Sequence, residues 1–189
     1  MILAQLKDFE WLNDPQNVTF TALGMRAESK YGTDFWQNDE AGIHKDNGHF
    51  FYLPKTENFT LTLSWDMKTD GDFDQCGIML RVDEKNWIKA SLMFENRNNP
   101  AVASSATVNG FSDWATHKLS YVPEKICYQL KRIRNDFILL YSLDGEKFEQ
   151  IRMVHIPNPA GFPVLAGAYI CSPRSHNFSA TLTQLDFSE

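Results

Sequence analysis

The sequence lacks the features that mark membrane, secreted and nucleic-acid-binding proteins. No apolar run approaches the roughly 20 residues that a membrane-spanning helix needs. The start, MILAQLKDFEWLNDP, has no basic head followed by an apolar stretch, as a secretory signal would have. Acidic residues outnumber basic ones by 24 to 18, and no basic stripe is present to face phosphates. The sequence therefore predicts a cytoplasmic protein that binds neither nucleic acid nor membranes.

Cysteine is also scarce. The three cysteines, Cys76, Cys127 and Cys171, are widely spaced, and each lies within an apolar or alternating run. An odd number at such spacing defines neither a disulfide framework nor a zinc motif. A chain of 189 residues buries roughly 70% of its unfolded surface and needs no covalent staple. We therefore expect three buried, reduced thiols.

Helical periodicity is missing beyond one or two turns, and short alternating runs separated by turn residues take its place. About thirteen strands of this kind follow one another, which favours a sandwich of two antiparallel sheets. We expect residues 1–189 to form a single all-β domain. Among the strands we predict one continuous strand from Thr19 to Arg26. Another is predicted from Lys118 to Val122, with Asp113 and Trp114 in the connection before it.

The run DQCGIMLRVDEKNWIKASLMFE, residues 74–95, is the clearest strand pair in the chain. Its apolar residues alternate with polar ones on both sides of a short polar turn, from Asp83 to Asn86, which predicts a half-buried antiparallel hairpin. The predicted core face comprises Cys76, Ile78, Leu80, Val82, Ile88, Ala90, Leu92 and Phe94. We expect Leu61 and Leu63, from a second alternating strand, to pack against it. The opposite face carries Gln75, Arg81, Trp87, Lys89 and Glu95.

Two positive charges on that opposite face need compensation. Depending on the turn length, Arg81 and Lys89 lie either directly opposite each other or on the diagonal, and like charges so placed repel. Glu95 on the same face could compensate them, as could Asp34, Asp46 or Asp113 from flanking loops. An anionic or hydroxyl-rich ligand is the alternative, and both interpretations stay open.

Three tryptophans fall on or near polar faces or loops, where an indole offers a flat platform for a sugar ring. They are Trp36, Trp87 and Trp114. The alternative is a second small hydrophobic cluster under a loop, whereas Trp65 and Phe94 fall on core positions. The candidate ligand-binding residues are Asp34, Trp36, His49, Gln75, Arg81, Trp87, Lys89, Glu95, Asp113 and Trp114.

The acidic residues do not form a recognisable catalytic pattern. Retaining glycosidases need two carboxyl groups roughly 5 Å apart, and no two acids alternate along a predicted strand. Glu95, Asp34 and Asp113 could still converge in space, or they could pair with the cations described above. We expect no catalytic residues and favour a binding protein over an enzyme, which would be glycosidase-like.

Two loop segments carry residues of the kinds that bind metals. His44, Asp46 and His49 offer zinc-type ligands, and Asp70, Asp72 and Asp74 alternate around a glycine as calcium ligands would. A turn stabilised by local hydrogen bonds, ending in Asn47 and Gly48, explains the first segment, and a solvated turn explains the second. We expect no metal and no cofactor.

Several segments resemble the bacterial and fungal "regulation of enolase" domain family of the concanavalin A-like lectin/glucanase superfamily. They are TDFW from Thr33, DNGHF from Asp46, the run from Asp74 to Ser91, NGFSDW from Asn109, YSLDG from Tyr141, and the run from Ala168 to Pro173. The resemblance spans roughly residues 10 to 187. It implies a concanavalin A-like jelly-roll sandwich whose concave sheet lines a groove, and it implies no particular reaction.

The sequence therefore predicts a non-catalytic ligand-binding or regulatory domain. We expect its concave sheet to bind a saccharide or a small anionic metabolite. One alternative is a glycoside hydrolase or lyase that acts in the same groove. The other, suggested by the family name, is an interaction module that contacts and regulates a metabolic enzyme.

Overall fold

The computed structural model describes residues 6–67, 71–94, 99–176 and 178–189, and most of these residues form β-strands. The strands are β1 (Glu10–Leu12), β2 (Asn17–Thr21), β3 (Gly24–Glu28), β4 (Phe35–Asn38), β5 (Ile43–Asp46), β6 (His49–Lys55), β7 (Phe59–Met67), β8 (Gln75–Asp83), β9 (Asn86–Phe94), β10 (Pro100–Val108), β11 (Phe111–Lys118), β12 (Lys125–Ile133), β13 (Asp136–Ser142), β14 (Glu149–His155), β15 (Val164–Cys171) and β16 (Ser179–Ser188). A short 3₁₀ helix, Asp39–Ala41, joins β4 to β5.

These strands form two sheets. One has nine strands in the order β1-β6-β15-β8-β9-β10-β11-β4-β5, and the other has seven in the order β14-β13-β12-β7-β16-β3-β2. Neighbouring strands within each sheet run antiparallel. The predicted all-β sandwich of two antiparallel sheets is confirmed.

The hydrophobic core lies between the sheets, and the β8–β9 hairpin supplies much of it. In the hairpin register Leu80 faces Ile88 and Cys76 faces Leu92, so the apolar side chains of both strands project toward the seven-stranded sheet. The six positions predicted to be buried are all fully inaccessible: Leu61, Leu63, Ile78, Leu80, Ile88 and Leu92. The prediction of a half-buried hairpin is wrong, however, because Met79 and Trp87 on the opposite face are also inaccessible.

The nine-stranded sheet curls so strongly that its far edge folds back over its outer face. The β4–β5 hairpin is separated from β8 by β9, β10 and β11 in the strand order. Nevertheless Asp46 on β5 binds Arg81 on β8, and the ring of Phe35 on β4 packs edge-on against Trp87 on β9. The outer face is therefore concave, and the β4–β5 hairpin covers part of it.

The structure corrects two strand predictions. The segment from Thr19 to Arg26 is a hairpin of β2 and β3, since the hydroxyl of Thr21 accepts a hydrogen bond from Leu23 N (3.2 Å). The turn ends at Gly24, whose φ is +147° and where a Cβ would lie 2.1 Å from Leu182 O. Ala22 and Leu23 are not typical turn residues, so the sequence hid this turn.

The second correction concerns the strand predicted from Lys118 to Val122. Strand β11 instead covers the preceding segment and ends at Lys118. Asp113 and Trp114 therefore lie within a strand, opposite Ala106 and Ser105 of β10. Their side chains point to opposite faces of the sheet, because successive residues of a strand alternate.

The three cysteines are free and buried, as expected. Burial raises the pKa of the Cys76 and Cys171 thiols well above the ordinary value, so both stay protonated and unreactive at neutral pH. Within the described ranges, no helix is long and apolar enough to cross a membrane.

Replacing Leu80 by alanine tests the core assignment. We expect the free energy of unfolding to fall by about 2 to 5 kcal/mol, because the change loses transfer free energy and leaves a cavity. The matched control is Ile133→Ala, at a position that is 51% exposed, where the change should stay within about 0.5 kcal/mol. Urea unfolding measures both, and equal effects would contradict the assignment.

Candidate functional site

A cavity of about 310 Å³ opens on the concave face of the nine-stranded sheet. Its floor consists of side chains from the strands, and its walls come from β4, β11 and two connecting segments. The lining residues are Asp34, Trp36, Phe73, Gln75, Lys89, Ser91, Met93, Ala103, Ser105, Trp114, Tyr169, Pro173 and Arg174.

The strand register explains why a hollow forms at this place. Lys89 on β9 faces Ser105 on β10, and Ser105 faces Trp114 on β11, so the three side chains form a row across the sheet. Ser91 and Ala103 form the adjacent row. Four of these positions lie on two neighbouring strands, and three of the four carry small side chains, which leaves room above the sheet.

Lys89 is the buried cation of the cavity floor, with a side chain only 6% exposed. Its Nζ donates hydrogen bonds to Gln75 Oε1 (2.9 Å) and Asp34 Oδ1 (3.1 Å). The ammonium also lies 5.4 Å from the ring centroid of Tyr169, a distance at which a cation and an aromatic face attract. Tyr169 in turn donates from its hydroxyl to Gln75 Oε1 (3.1 Å). Asp34 thus provides the compensating charge that sequence analysis required for Lys89.

Asp34 is held in place by the Asn47–Gly48 turn. The backbone N–H groups of Asn47 and Gly48 donate to Asp34 O at 3.1 and 3.0 Å, and the Asn47 side chain accepts a hydrogen bond from Asp34 N (3.0 Å). A Cβ at Gly48 would lie 2.3 Å from the Phe35 ring. The turn that the sequence predicted therefore also orients the carboxylate toward Lys89.

Arg81 has a different partner and does not line the cavity. Its guanidinium makes a bidentate ion pair with Asp46, at 2.5 and 2.8 Å, and both side chains are largely shielded from solvent. In the register Arg81 faces Trp87, and Lys89 faces Met79, so the two cations are diagonal neighbours, one of the two predicted arrangements. The pair fastens β5 to β8 over the concave face.

Trp87 is not part of a binding wall, because it is fully buried beneath Phe35. It belongs to a small hydrophobic cluster on the concave face, with members from β4, β6, β8, β9 and β15. The cluster contains Phe35, Phe50, Met79, Trp87, Tyr169 and Cys171. For Trp87 the structure thus supports the alternative that sequence analysis had left open.

Two other candidate residues also lie outside the cavity. His49 is 1% exposed, and its ring bonds to Asn13 O through Nδ1 (2.8 Å) and accepts from Lys30 N at Nε2 (3.0 Å). Asp113 Oδ1 accepts hydrogen bonds from Ala106 N (3.1 Å) and Arg152 Nη1 (2.5 Å). Both connect parts of the fold instead of facing the cavity.

Of the ten predicted site residues, the structure brings five together in the cavity: Asp34, Trp36, Gln75, Lys89 and Trp114. Glu95 lies outside the described residues, as does Asp70 of the calcium interpretation. In the described part of the lining, Asp34 is the only carboxylate. A pair of carboxyl groups, the requirement for glycosidase chemistry, is therefore not found there.

Three of the residues that might have bound a metal have other partners. Asp46 pairs with Arg81, His49 is bonded to the backbone, and Asp74 Oδ1 accepts a hydrogen bond from Ser172 Oγ (2.7 Å). Among the described residues, no group of three or more histidine, cysteine or acidic side chains is placed to hold a metal ion.

Sequence reasoning missed several lining residues. Ser91 was detectable, since it lies two residues beyond Lys89 on the same strand face. Phe73 and Arg174 were not, because they lie on separate connecting segments. The Arg174 guanidinium carbon lies 4.5 Å from the Phe73 ring centroid. Phe73 has a φ of +63°, uncommon for a bulky residue, and its carbonyl accepts from Gln75 Nε2 (3.2 Å).

The fold and the cavity define a two-sheet β-sandwich with an aromatic-walled pocket on its concave face. Residues 11–189 match the family described as "Protein of unknown function (DUF1349)", and the chain belongs to this family. It is similar to "Regulation of enolase protein 1" of Saccharomyces cerevisiae, with 27% identity over 180 residues that cover 95% of this chain and 89% of the yeast protein.

Several solved structures are similar over nearly the whole chain, among them the GH43 BlXynB protein from Bacillus licheniformis, with a TM-score of 0.71 and 11% identity, covering 95% of this chain and 36% of that chain. The crystal structure of a functionally unknown protein from Saccharomyces cerevisiae has a TM-score of 0.87 and 25% identity, covering 97% of both chains. The carbohydrate binding module CBM66 from Bacillus subtilis has a TM-score of 0.58 and 13% identity, covering 96% of both chains. The similarities to the GH43 protein and to the carbohydrate binding module concern the fold alone.

The Arg81–Asp46 ion pair should make a measurable contribution to stability. Replacing either partner leaves the other charge poorly solvated, so Arg81→Met and Asp46→Asn should each lower the free energy of unfolding by about 3 kcal/mol. The double variant should lose less than the sum of the two, and urea unfolding of all four proteins gives the coupling energy. Additive losses within about 0.5 kcal/mol would show that the pair is not coupled.

His49 should make stability depend on pH. Burial lowers the pKa of His49 from its ordinary value, and the Lys30 N–H aimed at Nε2 leaves no room for a second proton. Below about pH 6.5 the unfolded chain binds a proton at this residue that the folded protein refuses, so the free energy of unfolding should fall with decreasing pH. Above about pH 6.5, the contribution of His49 to the free energy of unfolding no longer changes with pH.

Urea unfolding between about pH 7.5 and pH 5 measures this dependence. His49→Gln should flatten it, whereas His44→Gln, at an exposed position, should leave it unchanged. An unaltered slope in the His49 variant would assign the dependence to other groups.

Proposed function

We propose that the cavity binds a saccharide, and that the protein acts as a non-catalytic binding domain. The observation that carries this proposal is the combination of two indole side chains, Trp36 and Trp114, with a floor of hydrogen-bonding groups in one cavity. Trp114 is 43% exposed, so its indole is accessible to a ligand that enters the cavity.

The chemistry of the lining fits a sugar ring. An indole presents an apolar face to the C–H face of a pyranose, and the hydroxyls of Ser91 and Ser105 can donate to or accept from ring hydroxyls. The cavity volume of about 310 Å³ lies at the lower end of the range of small-molecule pockets. It is therefore suited to one or two sugar units and not to a long chain.

The similarity of the fold to that of a carbohydrate binding module agrees with this proposal. A carbohydrate binding module shares the fold over the full length of the chain, and the described lining holds a single carboxylate, which favours binding over hydrolysis. Free, buried thiols agree with a cytoplasmic location, where disulfides are rare. We propose that location as well.

A second proposed function is regulation of a metabolic enzyme. It is favoured by the similarity to a yeast protein named for regulation of enolase, which extends over 95% of this chain. The two functions are compatible, since a regulatory domain can respond to a bound sugar. Activity of purified enolase, measured with and without this protein and with and without sugar, tests the second function, and an unchanged rate in all four mixtures would contradict it.

Binding to a panel of monosaccharides and disaccharides tests the first function. A ligand present at 100 times its Kd should stabilise the folded protein by about 2.7 kcal/mol, which appears as a higher melting temperature. Trp36→Ala and Trp114→Ala should abolish the shift for any sugar that produces it. Product analysis of the same mixtures should show no cleavage.

The matched control is Tyr121→Ala, at an aromatic position that is 56% exposed and outside the cavity. This variant should respond to the sugar as the unmodified protein does. If no sugar shifts the melting temperature, or if the two tryptophan variants respond normally, the proposed site is wrong.

A further inference from the structure

The described cavity lining has a net positive charge, whereas the whole protein has a net negative charge. The chain has a net charge of −6, yet the described lining contains two cations, Lys89 and Arg174, and one anion, Asp34. A positive cavity in an acidic protein attracts negatively charged ligands selectively.

The two cations differ in how they are used. Lys89 is neutralised by Asp34 and oriented by Gln75 beneath the floor. Arg174 is exposed, and no described carboxylate forms an ion pair with it. Its guanidinium contacts the face of Phe73. Arg174 therefore carries the net positive charge of the described lining.

The position of Arg174 over the Phe73 ring suits the binding of a planar or tetrahedral anion. The ring attracts the guanidinium, and the guanidinium N–H groups can donate to a ligand. The edge of a guanidinium matches the two oxygens of a carboxylate or a phosphate and binds them in a bidentate manner.

Two hydrogen bonds to its backbone fix the position of Phe73. Its backbone N–H donates to Phe94 O (2.8 Å), and its carbonyl accepts from Gln75, the residue that also binds Lys89. The left-handed conformation of a phenylalanine is energetically unfavourable and persists only where the surroundings impose it, often at ligand sites. The network that places Lys89 therefore also places the aromatic support of Arg174.

We propose that the cavity selects saccharides that carry a carboxylate or phosphate group, with Arg174 binding that group and the indoles of Trp36 and Trp114 binding the ring. This inference rests on the proposed function and narrows it to acidic sugars. Arg174 is then the residue that determines specificity, whereas Lys89 fixes the shape of the floor.

Matched pairs of neutral and acidic sugars test the inference: glucose against glucuronate and glucose 6-phosphate, and galactose against galacturonate. Calorimetric titration of the unmodified protein should give a Kd for the uronates or for the sugar phosphate that is at least tenfold lower than the Kd for the matched neutral sugar. This ratio corresponds to a difference of 1.4 kcal/mol in binding free energy. The preference should weaken at high salt.

Arg174→Gln should reduce the preference for acidic sugars to near unity, because the affinity for acidic sugars falls far more than the affinity for neutral ones. Arg134→Gln, at another exposed arginine outside the cavity, is the matched control and should retain the preference. Inorganic phosphate and acetate, titrated alone, should bind far more weakly than the acidic sugars, because they lack a ring.

Each of the other possible results contradicts a specific part of the proposal. Equal affinity for neutral and acidic sugars, or a preference that survives in Arg174→Gln, overturns the inference and leaves saccharide binding intact. Phosphate or acetate binding as tightly as the acidic sugars overturns the role of the sugar ring. Absence of binding by every sugar overturns the proposed function together with the inference.

Discussion

The closure of the β4–β5 hairpin over the concave sheet is the constraint on which the site depends. Two ion pairs hold this closure, Asp46 with Arg81 and Asp34 with Lys89. Each joins a residue at the edge of the nine-stranded sheet to the central β8–β9 hairpin. Both pairs are shielded from water, so the attraction within each is stronger than that of an exposed pair. Without this closure, Phe35 would not cover Trp87, and Trp36 would not form a wall.

The concave face is divided by side-chain size. Large side chains from β6, β8 and β15, together with Phe35 and Trp87, fill one part, whereas serine and alanine on β9 and β10 leave the other part open. Lys89 lies at the boundary and contacts both parts through Tyr169 and Asp34. The same sheet face thus has a packed region that gives rigidity and an open region that can take a ligand. Preorganisation of this kind lowers the entropic cost of binding.

The family places this chain among proteins without an assigned activity, so the argument for function comes from the cavity itself. A shared sandwich fold does not transfer a reaction, since one fold supports many functions. The described lining offers aromatic walls, hydroxyls and an uncompensated arginine, which suit recognition. It offers one carboxylate, whereas hydrolysis of a glycosidic bond requires two suitably spaced groups. The chemistry of the described lining is therefore better suited to binding than to hydrolysis.

The sequence by itself determined which residues of a regular strand share a face, because alternation with a period of two depends only on local geometry. It therefore predicted the core positions of β7, β8 and β9, and it placed Gln75 and Lys89 on the open face. Only the tertiary structure decided which acids meet which cations, since Asp34 and Asp46 reach β9 and β8 through the curl of a sheet that no local pattern encodes. The separation of Trp87 from Trp36, and the arrival of Arg174 beside Phe73, likewise depend on contacts between segments far apart in the chain.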